Sequence, residues 1–136
     1  MPFDSNLTFH DGTAITATVT PTSTTRTSGS AALDVGTGGL PADGMSVVMI
    51  MQNDLEAASD TLIVTIERCA TVDGTYQEVA TFPTHTYGDG AQTRIIRVGS
   101  HQQYLRALLT ISDASGSGYT VSGVYIYLVP HAFKYL

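Results

Sequence analysis

Residues Gln103–Ser112 read Q-Y-L-R-A-L-L-T-I-S, and residues Tyr119–His131 read Y-T-V-S-G-V-Y-I-Y-L-V-P-H. The turn-forming run D-A-S-G-S-G, Asp113–Gly118, separates them. Two apolar, β-branched and aromatic runs around a Gly/Ser loop read as neighbouring strands. Pro130 ends the second, because proline cannot donate to a ladder. Alternation then assigns faces. In the first strand Leu105, Ala107, Leu109 and Ile111 form the core set, with Tyr104, Arg106, Leu108 and Thr110 on the other side. In the second, Val124, Ile126 and Leu128 face the core, and Ser122 and Thr120 share their parity. Tyr125, Tyr127 and Val129 face outward. Tyrosine has an apolar body and a polar tip, which suits contact with another chain; the plainer reading is a sheet face covered by a loop.

The rest of the chain repeats this pattern. Ile15–Thr20 alternates and stops at Pro21; a Thr/Ser segment leads to a strand at Ala31–Val35 and a glycine-dense loop at Gly36–Gly44. Met45–Gln52 is almost continuously apolar, the mark of a strand buried on both faces. Asn53–Asp60 is polar, with room for one helical turn. Thr61–Cys69 places Leu62, Val64 and Ile66 on one side. Asp73-Gly74 turns the chain into Tyr76–Phe82. Pro83–Ala91 reads as a loop, and Thr93–Val98 as a strand centred on Ile95 and Ile96. About eight strands at such spacing predict an all-β fold, a single-domain antiparallel sandwich over residues 1–136. The Cys…Trp…Cys pattern of immunoglobulin domains is absent, which favours a jelly roll. Short arms flank it at 1–9 and 131–136. Phe3, Leu7 and Phe9 in the first, and Phe133, Tyr135 and Leu136 in the second, are apolar residues suited to docking.

Composition excludes several function classes. Charged residues make up 13% of the chain, about half the usual ~25%. Net charge is −6, Lys134 is the sole lysine, and Arg26, Arg68, Arg94, Arg97 and Arg106 are dispersed. Nucleic-acid binding needs clustered cations, so it is not expected. Cys69 is the only cysteine, so no intrachain disulfide forms, which fits maturation in a reducing cytosol. Met1–Asn6 lacks the features of a signal peptide, and Val47–Met51 is too short to span a bilayer, so neither export nor membrane insertion is expected.

No residue pattern carries catalytic chemistry. His10, His85, His101 and His131 are scattered and read as surface or turn residues, without the spacing of a zinc site. Cys69 has no specific base nearby in sequence and reads as a packed small residue. Asp89 and Asp113 lie in loops without a calcium ladder and read as turn formers. Gly36–Gly39 lacks the Lys-Ser/Thr of a phosphate loop. Glu56, Glu67 and Glu78 are not read as a glycosidase pair. The expectation is a non-enzyme without metal or cofactor.

Five short elements, in order, carry a family resemblance. They are Phe9–Thr16 (F-H-D-G-T-A-I-T), Leu33-Asp34-Val35-Gly36, Leu62–Ile66 followed by Thr71–Tyr76, Tyr104-Leu105-Arg106, and the closing Leu128-Val129-Pro130. In these the chain resembles, over nearly its whole length, the small capsid cement or decoration proteins of tailed phages of the Bordetella-phage type. It departs in a longer N-terminus and in the extension His131–Leu136. The resemblance implies a jelly-roll homotrimer on the outer surface of the virion, made in the host cytoplasm and bridging subunits of the major capsid protein. Contact candidates are Tyr104, Arg106, Tyr125, Tyr127 and Val129 on the strands, with Phe3, Phe9, Phe133 and Tyr135 in the arms. A carbohydrate-binding jelly roll is the alternative, although such modules usually present tryptophan, which this chain lacks. A hydrolase is the third reading.

Overall fold

The structure, a computed structural model, describes residues 7–12, 15–16, 32–41, 44–55, 60–112 and 120–129. Its strands are β1 (Thr8–Asp11), β2 (Ile15–Thr16), β3 (Leu33–Asp34), β4 (Met45–Met51), β5 (Thr61–Cys69), β6 (Gln77–Thr81), β7 (His85–Thr86), β8 (Gln92–Val98), β9 (Tyr104–Ser112), β10 (Thr120–Val121) and β11 (Val124–Val129). One antiparallel sheet has the order β1-β11-β4-β8, and the other β3-β9-β5-β6 with β7 also beside β5. A short β10-β2 pair stands apart. The chain is an antiparallel β-sandwich.

Alternating side chains explain why the sheets face each other. Leu62, Val64 and Ile66 of β5 and Leu105, Ala107, Leu109 and Ile111 of β9 are buried on one side of their sheet. They pack in one core with Val47, Met49 and Met51 of β4 and Val124, Ile126 and Leu128 of β11. Each fully buried aliphatic side chain contributes about 1.5–3 kcal/mol relative to exposure, so this layer holds the sheets together. β4 also buries Ser46 and Val48 on its other side, as its continuous apolar run predicts.

The pairings are nested. β1 pairs β11, β2 pairs β10, β3 pairs β9, β4 pairs β8, and β5 pairs β6. The chain is thus one antiparallel ribbon folded back on itself about the β5–β6 turn. Rolling the ribbon adds the β11–β4 and β5–β9 contacts, each in unbroken register.

Several sequence expectations change. Phe9 is not part of an arm: it lies in β1 at a bulge between Thr8 and His10 and is fully buried in the core. The extra residue of a bulge turns neighbouring side chains out of simple alternation, and His10, expected at the surface or in a turn, is buried beside it. Ser122 is exposed rather than core-facing. Gly123, at φ 73°, bends the chain between β10 and β11, so parity does not carry across it. The Pro83–Ala91 loop holds a strand, β7, whose His85 pairs with Leu62 and is wholly buried. The expected arm residue Phe3 and the tail residues Phe133, Tyr135 and Leu136 lie outside the described residues, as does the turn at 56–59.

Candidate interaction surfaces

Strand register lays out the outer face of the β1-β11-β4-β8 sheet in rows. Tyr125 stands beside Ile50 and Thr93; Tyr127 beside Val48 and Ile95; Val129 beside Ser46 and Arg97. Outer faces of sandwiches are normally polar in alternation with the core. Here the first two rows are chiefly aromatic and aliphatic. Tyr125 and Tyr127 are half-buried and stack with ring centroids 6.3 Å apart and planes 18° apart. Ile50 is half-buried, and Ile95 is 49% exposed. Val129, expected to be exposed with the tyrosines, is only 4% exposed. Parity gives its face correctly, but Val129 sits beside Ser46, itself 4% exposed, at an end of this face that is buried where the tyrosine rows are not.

Gly12 fixes the position of Tyr125. It has φ +89°, and a Cβ placed there would lie 2.5 Å from the tyrosine Cζ. A side chain at position 12 would push the ring aside. Asp11 is the register partner of Tyr125, and Thr8 that of Tyr127.

The opposite outer face carries the other two strand candidates. Arg106 faces Glu67 across β9 and β5, with Nε donating to Oε1 at 2.8 Å. Its guanidinium also lies 3.9 Å from the Tyr76 ring centroid, a cation–π contact. The Tyr76 hydroxyl donates to the Val72 carbonyl at 2.9 Å. Burial raises the Tyr76 phenol above its ordinary pKa, reinforced by Cys69 and opposed by the Arg106 charge. Glu67 also sits opposite Glu78 of β6, a like-charge pairing that Arg106 offsets. Arg106 therefore ties its own sheet together. Tyr104, half-buried, is the register partner of Cys69. Tyr104 and Arg106 lie on the sheet opposite that of Tyr125 and Tyr127, so the structure does not bring the four together.

A polar cluster at one end of the sandwich was not legible in the sequence. His85 is fully buried, and neither ring nitrogen has a hydrogen-bond partner. Nε2 lies 4.0 Å from Asp54 Oδ1, and Nδ1 lies 4.0 Å from Asp89 Oδ2. Both carboxylates already serve other donors. Asp54 accepts from the Gly88 and Leu55 amides, and Asp89 from the Thr86 amide and hydroxyl. Arg94 stands 3.7 Å from Asp89. Burial chiefly lowers the His85 pKa, with Arg94 in the same direction and the two carboxylates against it. The cluster organises loops: Asp54 and Gly88 are 34 residues apart in sequence. The Thr86–Asp89 spacing, a turn motif, is its only local sequence signal.

His101 is exposed, and Cys69 is a free thiol, 7% exposed, as a packed small residue should be. Among the described residues, no group of three or more His, Cys, Asp or Glu could hold a metal ion, and no helix is long and apolar enough to cross a membrane. A shallow cavity of about 200 Å³ is lined by Leu40, Pro41, Arg68, Gly99, Ser100 and His101. No known protein family, curated protein or solved structure matches the chain.

Proposed function

We propose that this protein is a capsid cement protein, a homotrimer that binds the outer surface of a tailed-phage head and bridges major capsid subunits. The observation that carries the reading is the aromatic and aliphatic outer face built from Tyr125, Tyr127, Ile50 and Ile95 on four-stranded sheet rows. Such a face on a rigid scaffold suits a partner that shields it from water. The motif resemblance supplies the partner class. The nested strand order supports a jelly roll, a fold made by rolling one antiparallel ribbon into two sheets. A cement needs a stiff body and repeated attachment, since several linked contacts raise avidity without new chemistry.

The test is cosedimentation with expanded, DNA-free heads of the phage that encodes the chain. The wild type pellets with the heads and raises their disruption temperature. Tyr125→Asp, checked for folding by circular dichroism, places a charge in the contact and lowers occupancy at least tenfold. Free protein in the supernatant at every ratio overturns the reading. Glycan binding by the isolated protein without heads favours a carbohydrate-binding module instead.

A further inference from the structure

β8 is an edge strand. β4 is hydrogen-bonded to one side, and among the described residues no strand is hydrogen-bonded to the other, although β6 of the facing sheet packs close to it. An edge exposes a row of backbone donors and acceptors that suits another extended chain, and proteins usually blunt it with bulges, prolines or short length. The other described edges of the two sheets are blunted. β1 is bulged, β3 and β7 have two residues each, and β6 pairs with a register shift and stops before Pro83. β8 instead keeps all seven residues, Q-T-R-I-I-R-V, in unbroken register with β4, from Gln92 opposite Met51 to Val98 opposite Met45. It contains no glycine, proline or lysine. Its midpoint, Ile95, is 49% exposed. Arg94 points toward the inter-sheet side, but its guanidinium donates to the Pro83 carbonyl at 2.6 Å and to Gln92 Oε1 at 2.9 Å. It is held by its own chain.

We propose that β8 is a two-fold pairing edge that takes the β8 of a second copy as its antiparallel neighbour, centred on Ile95. The sequence itself selects this register. Residues paired across antiparallel strands share a face, so a shift by one residue is forbidden if both sheets keep their cores inside. Centring on Arg94 would stack two guanidinium groups. Centring on Ile96 would shorten the overlap and set Ile95 against Arg97. Centring on Ile95 pairs the whole strand: Gln92 with Val98, Thr93 with Arg97, Arg94 with Ile96, and Ile95 with its own copy. No arginine then faces an arginine. The apolar row Tyr127–Val48–Ile95 continues across the axis into the second copy. Such a contact uses the same surface on both partners and closes at two, so it would join the trimers proposed above in pairs rather than build them. It rests on strand geometry alone and is independent of the capsid reading.

Light scattering on the full chain, without capsids, tests the pairing. Ile95→Lys sets two ammonium groups face to face across the axis. The expected result is a wild-type mass twice that of Ile95→Lys at the same concentration, with both proteins folded by far-ultraviolet circular dichroism and the wild type alone showing an unfolding temperature that rises with concentration. In a second measurement, Ile95→Cys cross-links to its own copy under mild oxidation. Thr110→Cys, exposed on the opposite sheet, does not. Equal masses for wild type and Ile95→Lys overturn the proposal, whatever that mass is. So does cross-linking of Ile95→Cys no faster than that of Thr110→Cys.

Discussion

Arg106 and Glu67 are register partners on neighbouring strands, joined by a 2.8 Å charged hydrogen bond on a partly buried sheet face. Removing the arginine leaves Glu67 facing Glu78 without a counter-charge. It also strips the cation from the Tyr76 ring. Arg106→Ala is expected to cost about 1.5–3 kcal/mol in denaturant unfolding. A double-mutant cycle with Glu67→Gln checks the cause: the two losses sum to more than the double variant's, because the pair interacts.

Gly12 and Tyr125 make the second prediction. Gly12→Ala forces a side chain into a left-handed backbone and against the ring. The backbone conformation alone costs about 1–2 kcal/mol. Because the ring must also move, the stacking of Tyr125 on Tyr127 is lost. Near-ultraviolet circular dichroism should therefore weaken in this variant while the far-ultraviolet β signal persists.

Acid should destabilise the protein through His85. Burial holds its folded-state pKa below the ordinary 6.5, so the unfolded chain takes up a proton first. Stability is at its full value above about pH 6.5 and falls as pH drops from there toward the folded-state pKa. Asp89, held below its ordinary 3.8 chiefly by the Thr86 amide, adds a separate loss below that pH. Denaturant midpoints between pH 5 and pH 8 measure the first window. His85→Gln should flatten its slope; an unchanged slope assigns the effect to another group.

Phe9→Ala tests whether β1 belongs to the body or to an arm. Its side chain is fully buried in the shared core. Truncation is expected to cost about 3–5 kcal/mol of folding stability, the range for a buried phenylalanine. If Phe9 served only an external partner, isolated Phe9→Ala would unfold at the wild-type denaturant concentration.

The legible parts of this fold are those set by local period. The alternations in β5, β9 and β11 named their buried residues correctly because side-chain direction repeats every two residues along a strand. What escaped depends on partners distant in sequence. A bulge against β11 sends Phe9 inward, and the bend at Gly123 resets the parity of Ser122. Val129 lies at the end of the outer face where its register partner Ser46 is buried as well. The His85 cluster joins loops whose proximity only the rolled ribbon creates. Among the surface candidates, Tyr125 and Tyr127 were found as a pair on one strand. That Ile50 and Ile95 extend their face required the register of β4 and β8.

Nested pairing also gives the molecule a sequence of events in time. The β5–β6 turn closes the shortest loop, and each outer pair must close a longer one at a rising entropic cost. Folding should therefore start at the middle of the chain and zip toward its ends, and long-range pairing of this kind is slow. Opening runs the other way. β1 peels from β11 before β5 leaves β9, and amide exchange should quicken from the central strands outward. β1 and β11 meet last and part first, so a partner that grips both of them acts as a latch on the whole roll.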